Sequence, residues 1–233
     1  MKKVHFFAAI ALSALMVSCG KQAPTEESQK EALNQAASTE MAAIRTAQEL
    51  AKYGYEVESA SALIEAANIL VSTPTQAMDA EFTAGETTET GDKAEKPALT
   101  PAKLIADAKE LADEDEVLLA MVAKVEKKLA ADAEGTRGAV GGPKYDYGTV
   151  YARDYAYYDA SFIANQLAEV VVSGDGDTDL DLYVYDSNGN LIASDTDFTD
   201  DCYVRWYPKW TGRFRIKIVN RGGVYNNYVI ATN

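Results

Sequence analysis

An α-helical segment of two hairpins followed by a C-terminal antiparallel β-sandwich is the fold this sequence predicts, and three observations predict it. Residues 38–135 are rich in Ala, Leu and Glu, with apolar side chains recurring at helical spacing; residues 145–233 turn to short Tyr-, Val- and Ile-rich runs between turn residues. That change of period separates helix from sheet. Between them, Gly135-Thr136-Arg137-Gly138-Ala139-Val140-Gly141-Gly142-Pro143 is too rich in Gly and Pro to hold a helix or a central strand. Residues 136–144 are therefore a flexible linker. No Gly-Lys-Ser/Thr follows the glycines, so a phosphate loop is excluded.

The chain opens with a basic head, Met1-Lys2-Lys3, an apolar run from Phe6 to Val17, and Ser18 before Cys19. This is the grammar of a secretory signal, too short to span a bilayer as a stable helix. A cysteine at the cleavage point resembles a bacterial lipoprotein signal, so residues 1–18 are read as the signal and Cys19 as the lipid attachment site, although Met16 and Val17 depart from the usual Leu-Ala-Gly context. Partnership with a membrane then comes through the N-terminal lipid. Gly20 is not the Asp that, by that analogy, holds lipoproteins in the inner membrane, which favours the outer membrane, facing either the periplasm or the surface. An ordinary cleaved signal with an incidental Cys is the alternative.

The formal charge is −14, and loss of Lys2 and Lys3 with the signal makes it more negative still. This acidity argues against nucleic acid as a partner and against a polybasic membrane contact. Once Cys19 is acylated, Cys202 has no partner for a disulfide; in the run Cys202-Tyr203-Val204-Arg205-Trp206 it reads as a small buried hydrophobe, with Asp200 and Asp201 opposing a reactive thiolate.

Residues 19–37 are polar and read as a flexible tether. A first helix is expected from near Thr39, with Met41, Ile44, Ala47 and Ala51 in one stripe and Gly54 as a left-handed stop. Ala60, Leu63, Ile64, Ala67, Leu70 and Val71 mark a second, closed by Pro74. Residues 74–99 hold few large apolar side chains and are expected to be a mobile loop. Thr100-Pro101 opens a third helix, with Thr as N-cap and Pro at the first helical position; Leu118 to Leu129 carry a fourth.

In the C-terminal part, Leu180, Leu182 and Val184 alternate with Asp179, Asp181, Tyr183 and Tyr185, the period of a half-buried strand. Asp186-Ser187-Asn188-Gly189-Asn190 turns it into a hairpin that returns along Leu191-Ile192-Ala193-Ser194. Upstream, Tyr145, Tyr147, Tyr151, Tyr155, Tyr157 and Tyr158 suit either sheet packing or the stacking of an unknown protein or glycan ligand.

With Thr211-Gly212-Arg213-Phe214-Arg215-Ile216-Lys217-Ile218 and a closing Tyr228-Val229-Ile230, this acidic strand and its hairpin glycine resemble the bacterial pre-peptidase C-terminal domain over about residues 145–233. The resemblance implies a jelly-roll-like sandwich of the kind appended to secreted peptidases, hence an accessory role beside one, and a fold some of whose relatives bind calcium.

Candidate chemistry concentrates in the acids. No Lys or Arg occurs from Asp154 to Val204, while Asp175, Asp177, Asp179, Asp181, Asp195 and Asp197 lie on the strand, its approach and its hairpin return. If the hairpin brings Asp195 and Asp197 back beside Asp179 and Asp181, the repulsion calls for a calcium ion or for neighbouring Arg and Lys, and the basic strand at Arg213, Arg215 and Lys217 offers the second remedy. The spacing is not an EF-hand, since Leu180 stands where that loop needs Gly. Calcium is the one cofactor these residues suggest.

Catalysis is argued against. The only histidine is His5, inside the signal, and no Gly-x-Ser-x-Gly, His-Glu-x-x-His or Cys-x-x-Cys occurs. The expectation is a non-catalytic envelope protein with a β-sandwich binding module, the alternative a structural lipoprotein that docks a partner through its helical hairpins.

Overall fold

The structure, a computed structural model, describes residues 26–88, 91, 98–134 and 143–233, with side chains from Thr39 to Ala131 and from Pro143 onward within those ranges. Residues 1–25, including Cys19, and most of the linker lie outside the described residues. Four helices, α1 (Glu26–Glu56), α2 (Ala60–Ser72), α3 (Pro101–Ala112) and α4 (Glu116–Glu134), precede a sandwich of two five-stranded sheets. No described helix is long and apolar enough to cross a membrane.

The helices pack in sequence order around Leu63, Ile64, Leu104, Ile105 and Val122, with α2 central between α1, α3 and α4. Their starts are capped as the residues direct. Ser59 Oγ accepts from Ala62 N and Thr100 Oγ1 from Lys103 N, while Asp115 Oδ1 takes the amides of Val117 and Leu118.

Two expectations here need correction. Helix α1 begins at Glu26, not near Thr39, so the C-terminal part of the expected tether is helical; its Glu, Gln, Lys, Ala and Leu residues are good helix formers unbroken by Gly or Pro. Nor does Gly54 stop the helix. It lies inside α1, where a Cβ would come 2.6 Å from Leu63 Cδ2, so its use is the close approach of α2; the positive φ falls at Glu58.

The sandwich strands are β1 (Gln76–Ala77), β2 (Glu81–Ala84), β3 (Lys144–Val150), β4 (Tyr155–Phe162), β5 (Ala168–Ser173), β6 (Leu180–Tyr185), β7 (Leu191–Asp195), β8 (Asp201–Trp206), β9 (Gly212–Asn220) and β10 (Asn226–Thr232). One sheet runs β1-β3-β10-β5-β8 and the other β2-β4-β9-β6-β7. All pairs are antiparallel except β1 with β3. The inner faces meet through Tyr158, Phe162, Val170, Val172, Leu180, Leu182, Val184, Phe214, Ile216, Ile218, Tyr228 and Ile230. Cys202 is buried there, its thiol donating to the Leu180 carbonyl at 3.1 Å, and burial pushes its pKa far up.

The expected mobile loop at 74–99 is a further correction as far as residue 88; residues 89–90 and 92–97 lie outside the described residues. It supplies β1 and β2, one edge strand for each sheet. Its return is pinned by Asp154, whose carboxylate accepts the amides of Glu86 and Thr87.

The two halves touch. Helix α1 lies on the outer face of the β5-containing sheet, where Met41 and Ile44 pack on Val171 and Ala231 beside Tyr145 and Tyr203. Arg45 sits 4.3 Å above the Tyr203 ring, Gln48 Nε2 donates to Tyr145 Oη, and Lys52 Nζ bridges Asp200 and Asp201 at 2.8 and 2.6 Å.

Candidate binding face

The outer face of the β2-β4-β9-β6-β7 sheet carries no helix among the described residues. Its side chains follow from strand alternation: Ala156, Tyr158 and Ala160 of β4 and Phe214, Ile216 and Ile218 of β9 turn inward, which turns Tyr155, Tyr157 and Asp159, and Arg213, Arg215 and Lys217, outward. On β6 the same rule sends out Asp181, Tyr183 and Tyr185. Register sets them in rows. Tyr157 lies opposite Lys217 and Lys217 opposite Tyr183; Asp159 lies opposite Arg215 and Arg215 opposite Tyr185.

A column of three cations is thus flanked by two pairs of tyrosines. Tyr183 and Tyr185 are stacked along β6, centroids 6.3 Å apart and planes 22° from parallel; Tyr155 and Tyr157 meet at 4.9 Å on β4. Lys217 Nζ is 4.7 Å from the Tyr155 centroid and 5.5 Å from that of Tyr157, over which Arg215 also lies at 5.1 Å. Between β4 and the β6–β7 hairpin, Tyr157, Tyr185, Arg213, Arg215 and Lys217 line an open groove of about 450 Å³, rimmed by Asp186, Ser187 and Gly189.

Most of the face's charges are already committed. Arg215 Nε and Nη2 hold both Asp159 oxygens at 2.8 and 2.7 Å, which pulls the Asp159 carboxyl below its ordinary range. Arg213 reaches Glu81 on β2 at 3.1 Å. Asp186 is occupied by its own turn, accepting from the amides of Asn188 and Asn190 and from Asn190 Nδ2, chiefly the last of which lowers its pKa. Lys217 alone in the column is paired with no carboxylate of the described residues. The rings of Tyr155 and Tyr157 are its neighbours.

The six aspartates proposed as calcium ligands are placed by the structure as follows. Asp175 is buried and braces a turn, accepting the amides of Asp177 and, at 3.0 Å, of Asn227; Asp177 itself is exposed. Asp179 is half-buried; burial first and the Asp181 charge second raise its carboxyl above the ordinary 3.8, with Asp197 and Asp200 adding and Arg221 opposing. Asp181 is held by Arg221 Nε at 2.6 Å and Tyr183 Oη at 2.9 Å. Asp195 accepts the Tyr203 amide at 2.9 Å, and exposed Asp197 accepts from Thr199 N and Oγ1.

The hairpin return does not stack Asp195 against Asp181. A register shift between Val184 and Tyr185 sets Asp195 opposite Leu182, so it turns toward the inner side of the sheet while Asp181 points out. Among the described residues, no group of three or more His, Cys, Asp or Glu side chains is placed to hold a metal ion together. The basic strand β9 does answer acids, but those of β4 and β2, Asp159 and Glu81; within the acidic run it is Arg221, beyond that strand, that pairs with Asp181.

Alternation alone places Tyr183 and Tyr185 on the solvent side of β6, without assigning them a function. What joins them to Tyr157 is the insertion of β9 between β6 and β4, which no local pattern announces.

No protein-family model matches the chain, and no curated protein sequence matches it. Solved structures to which part of it is similar include the periplasmic g-type lysozyme inhibitor PliG of Aeromonas hydrophila, 14% identical over 39% of this chain and 84% of that one with a TM-score of 0.32. The pre-peptidase C-terminal domain of a Bacillus anthracis collagenase is 9% identical over 39% and 88%, also at 0.32. A carbohydrate-binding module of Cellvibrio mixtus lichenase 5A, solved with cellotriose, is 13% identical over 38% and 86%, at 0.25. These are loose likenesses of a sandwich, and nothing about this chain's ligand follows from them.

Proposed function

We propose that this chain is a non-catalytic binding protein whose β-sandwich presents the tyrosine- and cation-lined outer face of the β2-β4-β9-β6-β7 sheet to a glycan. One observation carries the reading: of the two sheets, one has α1 packed on its outer face, while the other leaves two pairs of tyrosines, one ring of each lining an open groove. Phenol rings offer sugar faces a flat apolar platform with a polar rim, and the flanking ion pairs hold that platform in place before any ligand arrives. The one histidine of the sequence, His5, lies in the stretch read as a signal, and the buried Cys202 is a poor nucleophile.

Attachment to the outer membrane through lipid on Cys19 belongs to the same reading and would keep the groove near envelope or extracellular polymers. Calcium stabilisation rests only on the acidity of the loops around Asp179, since the aspartates are not gathered as one ligand set; it requires a melting midpoint that falls when chelator replaces calcium.

The test is a glycan array probed with the exported chain and with Tyr157→Ala and Tyr185→Ala. The wild type should bind at least one glycan class and each variant should lose about tenfold in affinity while staying folded, within about 1 kcal/mol of the wild type. Binding that survives both variants would move the search to the helical hairpins, where Leu111, Val117 and Met121 are exposed.

A further inference from the structure

Resting on that reading of the face, we infer that its ligand is a carboxylate-bearing glycan, a uronate polymer, whose acid group is received by Lys217 between the two tyrosine pairs. The case is one of leftover valence. On this face Asp159, Asp181 and Asp186 are each satisfied by partners of the chain's own, Arg215, Arg221 and the hairpin turn respectively. Lys217 has no such partner among the described residues. Its ammonium rests on the faces of Tyr155 and Tyr157, and a ring face attracts a cation without satisfying its three N–H donors.

Arg215 adds a second open valence. Its Nε and Nη2 are taken by Asp159, and among the described residues Nη1 is left over, two residues along from Lys217 on the same side of the sheet. An oxyanion settling over β9 meets an ammonium and a guanidinium N–H two residues apart, about 7 Å along the strand. The near-parallel Tyr183 and Tyr185 rings lie directly across from these two cations and give the sugar rings a surface to rest on.

Charge elsewhere makes the assignment specific. At a formal −14, the protein repels polyanions over most of its surface, so retention of one would not be general electrostatic adhesion. An uncharged glycan would leave the Lys217 ammonium without an acceptor from the ligand. An acidic peptide would answer the charge yet make no use of the stacked rings.

Affinity electrophoresis of the exported chain through gels containing polygalacturonate, its methyl ester, neutral galactan or poly-glutamate tests this. The expected result is retardation by polygalacturonate that falls with added salt, is lost on methyl esterification, drops about tenfold in Lys217→Gln and is kept in Lys217→Arg. Lys217 makes no ion pair with the described residues, so both variants should melt with the wild type. Equal retardation by galactan and polygalacturonate would overturn the acidic ligand while leaving the glycan face standing. Retardation by poly-glutamate as strong as by polygalacturonate would replace the glycan by an acidic peptide, and undiminished binding in Lys217→Gln would remove Lys217 from the site. Absence of retardation in every gel would overturn the inference, with the array showing whether the face binds any other glycan.

Discussion

The two sheets of the sandwich share one core and differ in what lies outside it. In the β1-β3-β10-β5-β8 sheet the strand β5 is buried at all six positions: Ala168, Val170 and Val172 face the core, and on the outer side α1 packs Met41 and Ile44 on Val171. In the β2-β4-β9-β6-β7 sheet, β4 and β9 alternate between core and solvent. The difference can be read in composition: Val170-Val171-Val172 is an apolar run of the kind a strand covered on both faces carries, whereas Arg213-Phe214-Arg215-Ile216-Lys217-Ile218 is made for one dry face and one wet. One outer surface is packed against the chain's own helix, and the other is left wet, aromatic and cationic.

The largest effect should come from uncovering the first sheet. Ile44→Ala removes a fully buried side chain from the α1 contact and is expected to cost about 2–5 kcal/mol, read from the urea midpoint, whereas Tyr185→Ala on the open sheet should stay within about 1 kcal/mol. Similar losses in both would end the contrast between a covered and an open face.

A smaller effect concerns acids at the end of the open sheet. The folded-state pKa of Asp179 is raised, so ionising it opposes folding: its favourable contribution is complete below about 3.8, the unfolded value, and is lost as pH rises through the folded one. In chelator, Asp179→Asn should therefore melt higher than the wild type at neutral pH, with the gap closing as pH falls toward 3.8. A variant less stable at pH 7 would show that the ionised carboxylate is held by favourable contacts instead. Smallest of all is Arg213→Gln. Its pair with Glu81 has both side chains about two-thirds exposed (65% and 64%), so the urea midpoint should move by no more than about 0.5 kcal/mol.

Much of this architecture is legible in the sequence. Alternation places Leu180, Leu182 and Val184 inside, Gly189 takes the positive φ of the hairpin, and Thr100-Pro101 caps α3. What sequence reasoning misses has a common cause, which is that partners distant along the chain decide it. Glu81-Phe82-Thr83-Ala84 is exposed at every position and has no period to betray it; it is a strand because β4 offers an open edge. Gly54 looks like a helix stop because a glycine's chain context cannot show that Leu63 will press against it. The expected pairing of Asp195 with Asp181 fails through a single irregularity, the shift at Val184 and Tyr185, which turns Asp195 to the other side of the sheet. Half of the proposed face is visible as a row of tyrosines, and the other half depends on which strand sits between β4 and β6.

The short strands β1 and β2, which leave the helical half to border β3 and β4, make the order of assembly matter. Both emerge from the ribosome before the strands they will lie against, and must wait while α3 and α4 are made. Helices and sandwich are therefore stitched together, not strung like beads: a shortened chain starting at Lys144 would lack both hems, baring backbone N–H and C=O groups along β3 and β4. Such a fragment invites a second copy to take the place of the missing strands, and its behaviour would say more about pairing between molecules than about the protein from which it was cut.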